Sequence, residues 1–248
     1  SSSLNSTTSD EISKLKPKNI YIIGGESVIS ESVRTQLRNS NYNLVELSGK
    51  NRYETNAAVA GELVKLGVDP SDVMMVGGSG FSDALSAAPA ASARGEILLL
   101  GDNDSTAMSS VSSFVKSNNS RVTVVGTKNI IGESIYNSLG AVKRIEGGAD
   151  RFATNLNVLR AFDENLKPDS IYVANASGGR YADALVAASV AGIKSSPLVL
   201  VNGDGDLQTE GALNYIKSKA GSASEVNVIS EKGVISDNTI SDIKNAAG

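Results

Sequence analysis

The 248-residue chain contains no cysteine, no histidine and no tryptophan. Without histidine it lacks the commonest general base and the commonest transition-metal ligand, so Ser-His-Asp and Cys-His catalysis and His or Cys zinc sites are excluded. The missing cysteine also excludes disulfides, which fits either an extracellular or a cytosolic chain. Aromatic residues are scarce, four Phe and seven Tyr, which leaves little for base stacking. Lys and Arg total 23 against 27 Asp and Glu, a net charge of −4, so the cationic excess of a nucleic-acid binder is absent. No apolar run approaches the roughly 18 residues needed to cross a bilayer. The first residues also lack the basic, apolar and cleavage-site order of a signal peptide, so any export signal is expected upstream.

What is present is repetition. Ile20-Tyr21-Ile22-Ile23-Gly24, leading to Val28-Ile29-Ser30-Glu31, returns as Val122-Thr123-Val124-Val125-Gly126 before Ile130-Ile131-Gly132-Glu133. It returns again as Val226-Asn227-Val228-Ile229-Ser230 before Val234-Ile235-Ser236-Asp237, so the copies stand 102 and 104 residues apart. That period is about the size of a small domain and too long for a solenoid repeat. Three other phrases occur only twice: Gly49 to Asn56 with Gly148 to Asn155, Ser82-Asp83-Ala84-Leu85 with Ala182-Asp183-Ala184-Leu185, and Ile97 to Asp102 with Leu198 to Gly203. The chain is therefore expected to open partway through a module. The expected division is 1–45 for the later half of a first module, 46–143 for a second and 144–248 for a third.

Short β-branched runs without alternation at 20–23, 73–76, 97–100, 122–125, 171–174, 198–201 and 226–229 predict strands buried on both faces. Helical stretches lie between them, Asn56 to Leu66 and the alanine-rich Ser82 to Ala93 among them, with Ser30, Thr55, Ser82 and Thr154 where N-caps are wanted. Strand alternating with helix predicts parallel βα units in an α/β fold.

Such sheets bind ligands beyond the carboxyl ends of their strands. Those positions are glycine-rich here: Gly24-Gly25, Gly77-Gly78-Ser79-Gly80 and Gly178-Gly179. Their amides suit an anion, and the same glycines suit tight turns. No Walker phosphate loop, complete dinucleotide fingerprint or nucleophile elbow is present. Asn202-Gly203-Asp204-Gly205-Asp206 alternates acids as a calcium loop does, but Leu207 and Leu213 stand where its glycine and bidentate Glu belong. Asp83 and Asp183 open equivalent helices and read as dipole caps. Arg52 and Arg151 precede an aromatic residue and a Thr, a setting that suits loop anchoring as well as ligand contact.

The order Gly-x-Asn/Asp-Arg-Tyr/Phe-x-Thr, Asp-Ala-Leu, Pro-Ile-Leu-Leu-like strand and Val-x-Val-Ile-Gly-Gly, met twice, resembles the type 2 cell-wall-binding repeat of Gram-positive, especially clostridial, surface-layer and cell wall proteins. The third motif departs in the middle module, which reads Glu96-Ile97-Leu98-Leu99 against Pro197-Leu198-Val199-Leu200 in the last. The resemblance implies tandem Rossmann-like or flavodoxin-like α/β modules with parallel sheets around a pseudo-threefold axis. It also implies a non-catalytic, extracellular anchor that holds a surface protein on an anionic, teichoic-acid-like wall polysaccharide through a shared upper rim. Candidate contacts are Arg52, Arg151, Arg180 and the residues before equivalent strands, Arg94 and Lys194. No cofactor, metal, nucleic acid or membrane insertion is expected. Other surface-layer proteins and the remainder of the first module are further possible partners. A sugar-phosphate- or nucleotide-binding enzyme domain and a structural surface-layer assembly unit are the alternatives.

Overall fold

The computed structural model describes residues 3–178 and 181–248. The chain begins with α1 (Ser6–Leu15), β1 (Asn19–Ile23), α2 (Glu31–Asn39) and β2 (Asn43–Leu47), where β1 and β2 form a parallel pair. The next unit runs α3 (Arg52–Lys65), β3 (Asp72–Gly77), α4 (Ser82–Arg94), β4 (Ile97–Gly101), α5 (Ser109–Ser117), β5 (Arg121–Val125), α6 (Glu133–Ser138) and β6 (Lys143–Ile145). Its sheet is fully parallel with order β4-β3-β5-β6. The last unit runs α7 (Arg151–Ala161), a 3₁₀ turn (Asp163–Asn165), β7 (Ser170–Asn175), α8 (Ala182–Lys194), β8 (Leu198–Val201), α9 (Leu207–Lys219), β9 (Glu225–Ile229) and α10 (Asp237–Ala247), with order β8-β7-β9.

The seven predicted strands are present. β2 and β6 are additional, and they straddle the divisions expected after residues 45 and 143. Each closes the sheet behind it and leads directly into the helix of the next unit.

β3 is buried from Val73 to Gly77 and β8 along its whole length, because helices cover both faces of these sheets. One face of the middle sheet builds a core of Val73, Met75, Leu99, Val122 and Val124 with Met108, Val111 and Ile131. Its other face puts Met74, Val76 and Val125 against Ala87, Ala90 and Ala91 of α4 and against Val158 and Phe162 of the next unit. Helix α4 thus lies between two sheets and contacts both α7 and α8. Small side chains permit that approach: Ser92 Oγ donates to Gly192 O at 3.0 Å, and a Cβ on Gly192 would lie 3.1 Å from that of Ser92. The opening unit is thinner, with a core cluster whose buried residues are Ile22, Val33 and Leu37.

Candidate functional site

Strand order reverses at β3, between β4 and β5, and a parallel α/β sheet opens its binding crevice at such a point. A cleft of about 460 Å³ lies there. The stretch from the end of β3 to the start of α4 supplies Gly77, Ser79, Gly80 and Asp83, the loop after β5 supplies Thr127, Asn129 and Ile130, and the start of the next unit supplies Gly148 to Arg151. Two partial versions flank it. Gly24, Gly25, Ser27 and Val28 with Gly49 to Arg52 line a cleft of about 590 Å³ beside the opening unit, and Asp183 with Glu231 to Val234 line one of about 480 Å³ beside the last. Among the described residues the middle cleft alone joins all three contributions.

A repeated knot builds the helix starts. Asn51 and Asp150 are the N-caps of α3 and α7, and each side-chain oxygen accepts from two backbone amides. Thr55 and Thr154, expected as caps, lie instead in the first turn. Each accepts the preceding loop amide, Gly49 N at 3.0 Å and Gly148 N at 2.9 Å, and donates to the cap residue's carbonyl. Glycine is required at both loop positions, since a Cβ would come within 2.2 Å of Glu54 Cβ or 2.3 Å of Ala153 Cβ. Ser30 is an N-cap residue as expected, whereas Phe81 takes that position before Ser82.

The arginines anchor these starts. Arg52 donates to Gly78 O; Arg151 donates to Ala176 O at 2.7 Å and to the Tyr181 hydroxyl, and stacks 5.4 Å from the Tyr181 ring. Both line a rim cleft, Arg52 the first and Arg151 the middle one. Arg94 and Lys194 are not at the rim: they end α4 and α8, which run back to the amino edge of the sheets. Arg180 lies outside the described residues.

The two helix-opening acids lie in the first turns of α4 and α8, as expected for the helix dipole, but among the described residues neither side chain makes a capping hydrogen bond to its own helix. Asp183 accepts from Glu231 N at 2.9 Å, across to the loop after β9. Asp83 faces Gly126 over the same gap, has no partner among the described residues, and burial alone raises its pKa. The middle cleft therefore offers Asp83 and Asp150 with an Arg151 already engaged, while the first offers Lys50 and Arg52 with no carboxylate in its lining.

Sequence reading gave no role to Asn56 and Asn155, yet both act as strand edges. Asn56 Nδ2 donates to Leu98 O at 3.0 Å and its Oδ1 accepts from Leu100 N at 2.9 Å; Asn155 does the same with Leu198 and Leu200, both at 3.0 Å. They satisfy the outer polar groups of the edge strands β4 and β8. Their recurrence one residue after each Thr was the available signal. Among the described residues no group of acids that could hold a metal ion occurs, and the 202–206 loop instead uses Asp206 to cap α9.

Parallel α/β units in tandem, with crevices assembled from neighbouring units, define a repeat-built α/β protein. The profile of the family described as Cell wall binding domain 2 (CWB2) matches residues 46–136 and 144–240, and the chain belongs to that family. It is 29% identical over 246 residues to N-acetylmuramoyl-L-alanine amidase LytC of Bacillus subtilis, covering 99% of this chain and 47% of that protein. It is 32% identical over 205 residues to the amidase enhancer of the same organism, covering 81% of this chain and 26% of that one. The chain thus spans at most about half of these relatives. Its fold matches Cwp6 from Clostridium difficile with a TM-score of 0.85 at 20% identity, over 100% of this chain and 39% of that one. It matches Cwp8 from the same organism with a TM-score of 0.80 at 26% identity, over 98% and 41%. The chain is a cell-wall-binding module, and its place is outside the cell, at the wall.

Proposed function

We propose that this chain is a non-catalytic anchor that holds a surface protein on an anionic, teichoic-acid-like wall polysaccharide, its units, divided as 1–45, 46–143 and 144–248, acting together. The observation that carries this reading is the family match over both full repeats, set on a fold that repeats one crevice from unit to unit. Individually weak contacts to a polymer become firm retention when several act at once, because after the first engages the others face a raised local concentration of ligand. The amidase among the relatives extends well beyond the matched region, which supports a reading in which its catalysis resides in another part of that chain.

The test is co-sedimentation of the purified chain with Gram-positive cell walls before and after chemical removal of anionic polymer. Binding should fall sharply on removal and should weaken with added salt as screening shortens the reach of surface charges. Equal retention on both preparations would refute the polymer assignment.

A further inference from the structure

The middle and last rim clefts are poorly suited to repeated negative charge, unlike the first, whose lining holds Lys50 and Arg52 and no carboxylate. Asp83 and Asp150 line the middle one, and Asp183 and Glu231 the last. The opposite edge, where the middle and last units meet, has the reverse character. There Phe162, 5% exposed, is flanked by two cations from the middle unit: Arg94 lies 5.5 Å and Lys143 5.8 Å from its ring centre. Arg94 continues to Glu96 at 2.5 Å and Asn165 at 3.3 Å, so the seam is tied by side chains of both units. Beside it a cavity of about 340 Å³ is lined by Arg160, Asp163, Asn214, Tyr215, Ser218 and Lys219. Tyr215 is 5% exposed, and its hydroxyl faces Asp163. Lys167 N donates to Ser195 O at 2.7 Å, which brings that stretch alongside Lys194.

The charges at this seam do not cancel. Glu96 is taken by Arg94 and Asp163 by Lys219. Lys143, Arg160, Lys167 and Lys194 are exposed and form no ion pair among the described residues, against the exposed acids Glu164, Asp169 and Glu225. On the same edge of the middle unit Lys65 is matched by Glu62 and Arg121 by Asp72, which leaves Lys116 at the end of α5 as an isolated exposed cation without an ion pair among the described residues.

We infer that this seam, and not the glycine-rich rim, is the principal contact for the phosphodiester groups of a polyanion. Arg160 supplies a planar fork for phosphate oxygens, and the lysines supply spaced point charges along a chain. The inference rests on the proposed function and deepens it by placing the charged part of the polymer.

The experiment compares two charge-matched triple variants of the full chain for binding to poly(glycerol phosphate) and to walls. One carries Lys143→Gln, Arg160→Gln and Lys194→Gln; the other carries Lys16→Gln, Lys18→Gln and Lys116→Gln, all exposed and away from the seam. Unchanged melting temperatures will establish that both remain folded. The seam variant should lose roughly tenfold in affinity for poly(glycerol phosphate) at low salt and show a flatter salt dependence, while the control should stay within about twofold. Equal losses in the two variants would reduce the effect to net charge, and no loss in the seam variant would remove the site; either overturns the inference. If the unmodified chain needs wall polymer for sedimentation and the seam variant sediments equally well, the inference fails and the function stands. If the unmodified chain binds stripped walls equally, the function itself fails.

Discussion

The middle and last units use the same skeleton with different chemistry at matched positions. Asn56 and Asn155 bind Leu98 and Leu198 alike, so β4 and β8 align one residue off the pairing expected from sequence. Tyr53 of the middle unit donates its hydroxyl to Asp102 beyond β4, whereas the last unit has Phe152 and Asn202 at those places, and Asn202 turns instead to Asp206 at 2.7 Å. Asn56 lies partly exposed, but Asn155 is fully buried and reaches Ser86 of the preceding unit at 3.3 Å. The opening and middle units add another variation. Arg34 on α2 is held by Glu46 of β2 and binds Gly24 O and Ile29 O; in the middle unit Arg144 occupies the strand position of Glu46 and binds the matching Gly126 O and Ile131 O directly. What is constant across the repeats is the backbone group that needs a partner. The residue that supplies the partner is free to change.

The paired asparagines give the largest test of this view. Asn155→Ala should destabilise the chain by about 3 kcal/mol, because it leaves Leu198 O and Leu200 N without a partner in a fully buried setting. Asn56→Ala removes the same two bonds where water can replace them, and about 1 kcal/mol is expected. Urea unfolding of the two variants measures the difference. Equal costs would mean that burial at the seam contributes nothing to the value of these bonds.

Tyr53→Phe makes the middle unit resemble the last at one atom. Burial first, then the bond to Asp102, pushes the Tyr53 hydroxyl up to about 12, and the same bond is the main influence holding the Asp102 carboxyl below its ordinary value. A depressed carboxyl pKa adds stability that is present above the unfolded-state value and is lost as pH falls through the folded one. The variant should therefore be weaker than the parent by about 1.5 kcal/mol at pH 7, and the gap should shrink as pH drops below roughly 3.9. Thermal melts across that range read it, and a gap independent of pH would show that Asp102 is not the partner that matters.

These comparisons also mark what could be read from residues alone. The central strands were legible because unbroken runs such as Val73-Met74-Met75-Val76 have few other fates, and the repeat phrases aligned the units before any contact was known. β2 and β6 were not, because Asn43-Leu-Val-Glu-Leu and Lys143-Arg-Ile mix charge with apolar residues, as short strands at a sheet edge do. The N-caps were misplaced by four residues because Thr and Asn or Asp share capping chemistry, and only the loop geometry assigns the Thr hydroxyl to Gly49 or Gly148. The glycine-rich crevices followed from fold class. Their assembly from successive units did not, and neither did the cationic seam, whose members are scattered from Arg94 to Lys219 and meet only through packing of α4, α7 and α9.

The smallest expected effect is also the sharpest contrast, because it changes sign between the units. Asp83 and Asp183 occupy equivalent places, yet burial raises the pKa of Asp83 while Asp183 accepts a backbone amide. A carboxyl whose folded pKa is raised costs stability as pH rises from its unfolded value through its folded one, so Asp83→Asn should remove that cost and lift the melting temperature at pH 7 by roughly 1–2 °C. Asp183→Asn weakens a charge-assisted acceptor for Glu231 N and should lower it by a similar roughly 1–2 °C. Because burial raises the Asp83 pKa, that carboxyl is neutral near pH 3.5, and the shift for Asp83→Asn should fall toward zero there. Melts of both variants at pH 7 and pH 3.5 decide the matter: shifts of the same sign at pH 7 would mean that Asp83 has found a partner equivalent to Glu231 N, and that the two crevices are electrostatically alike.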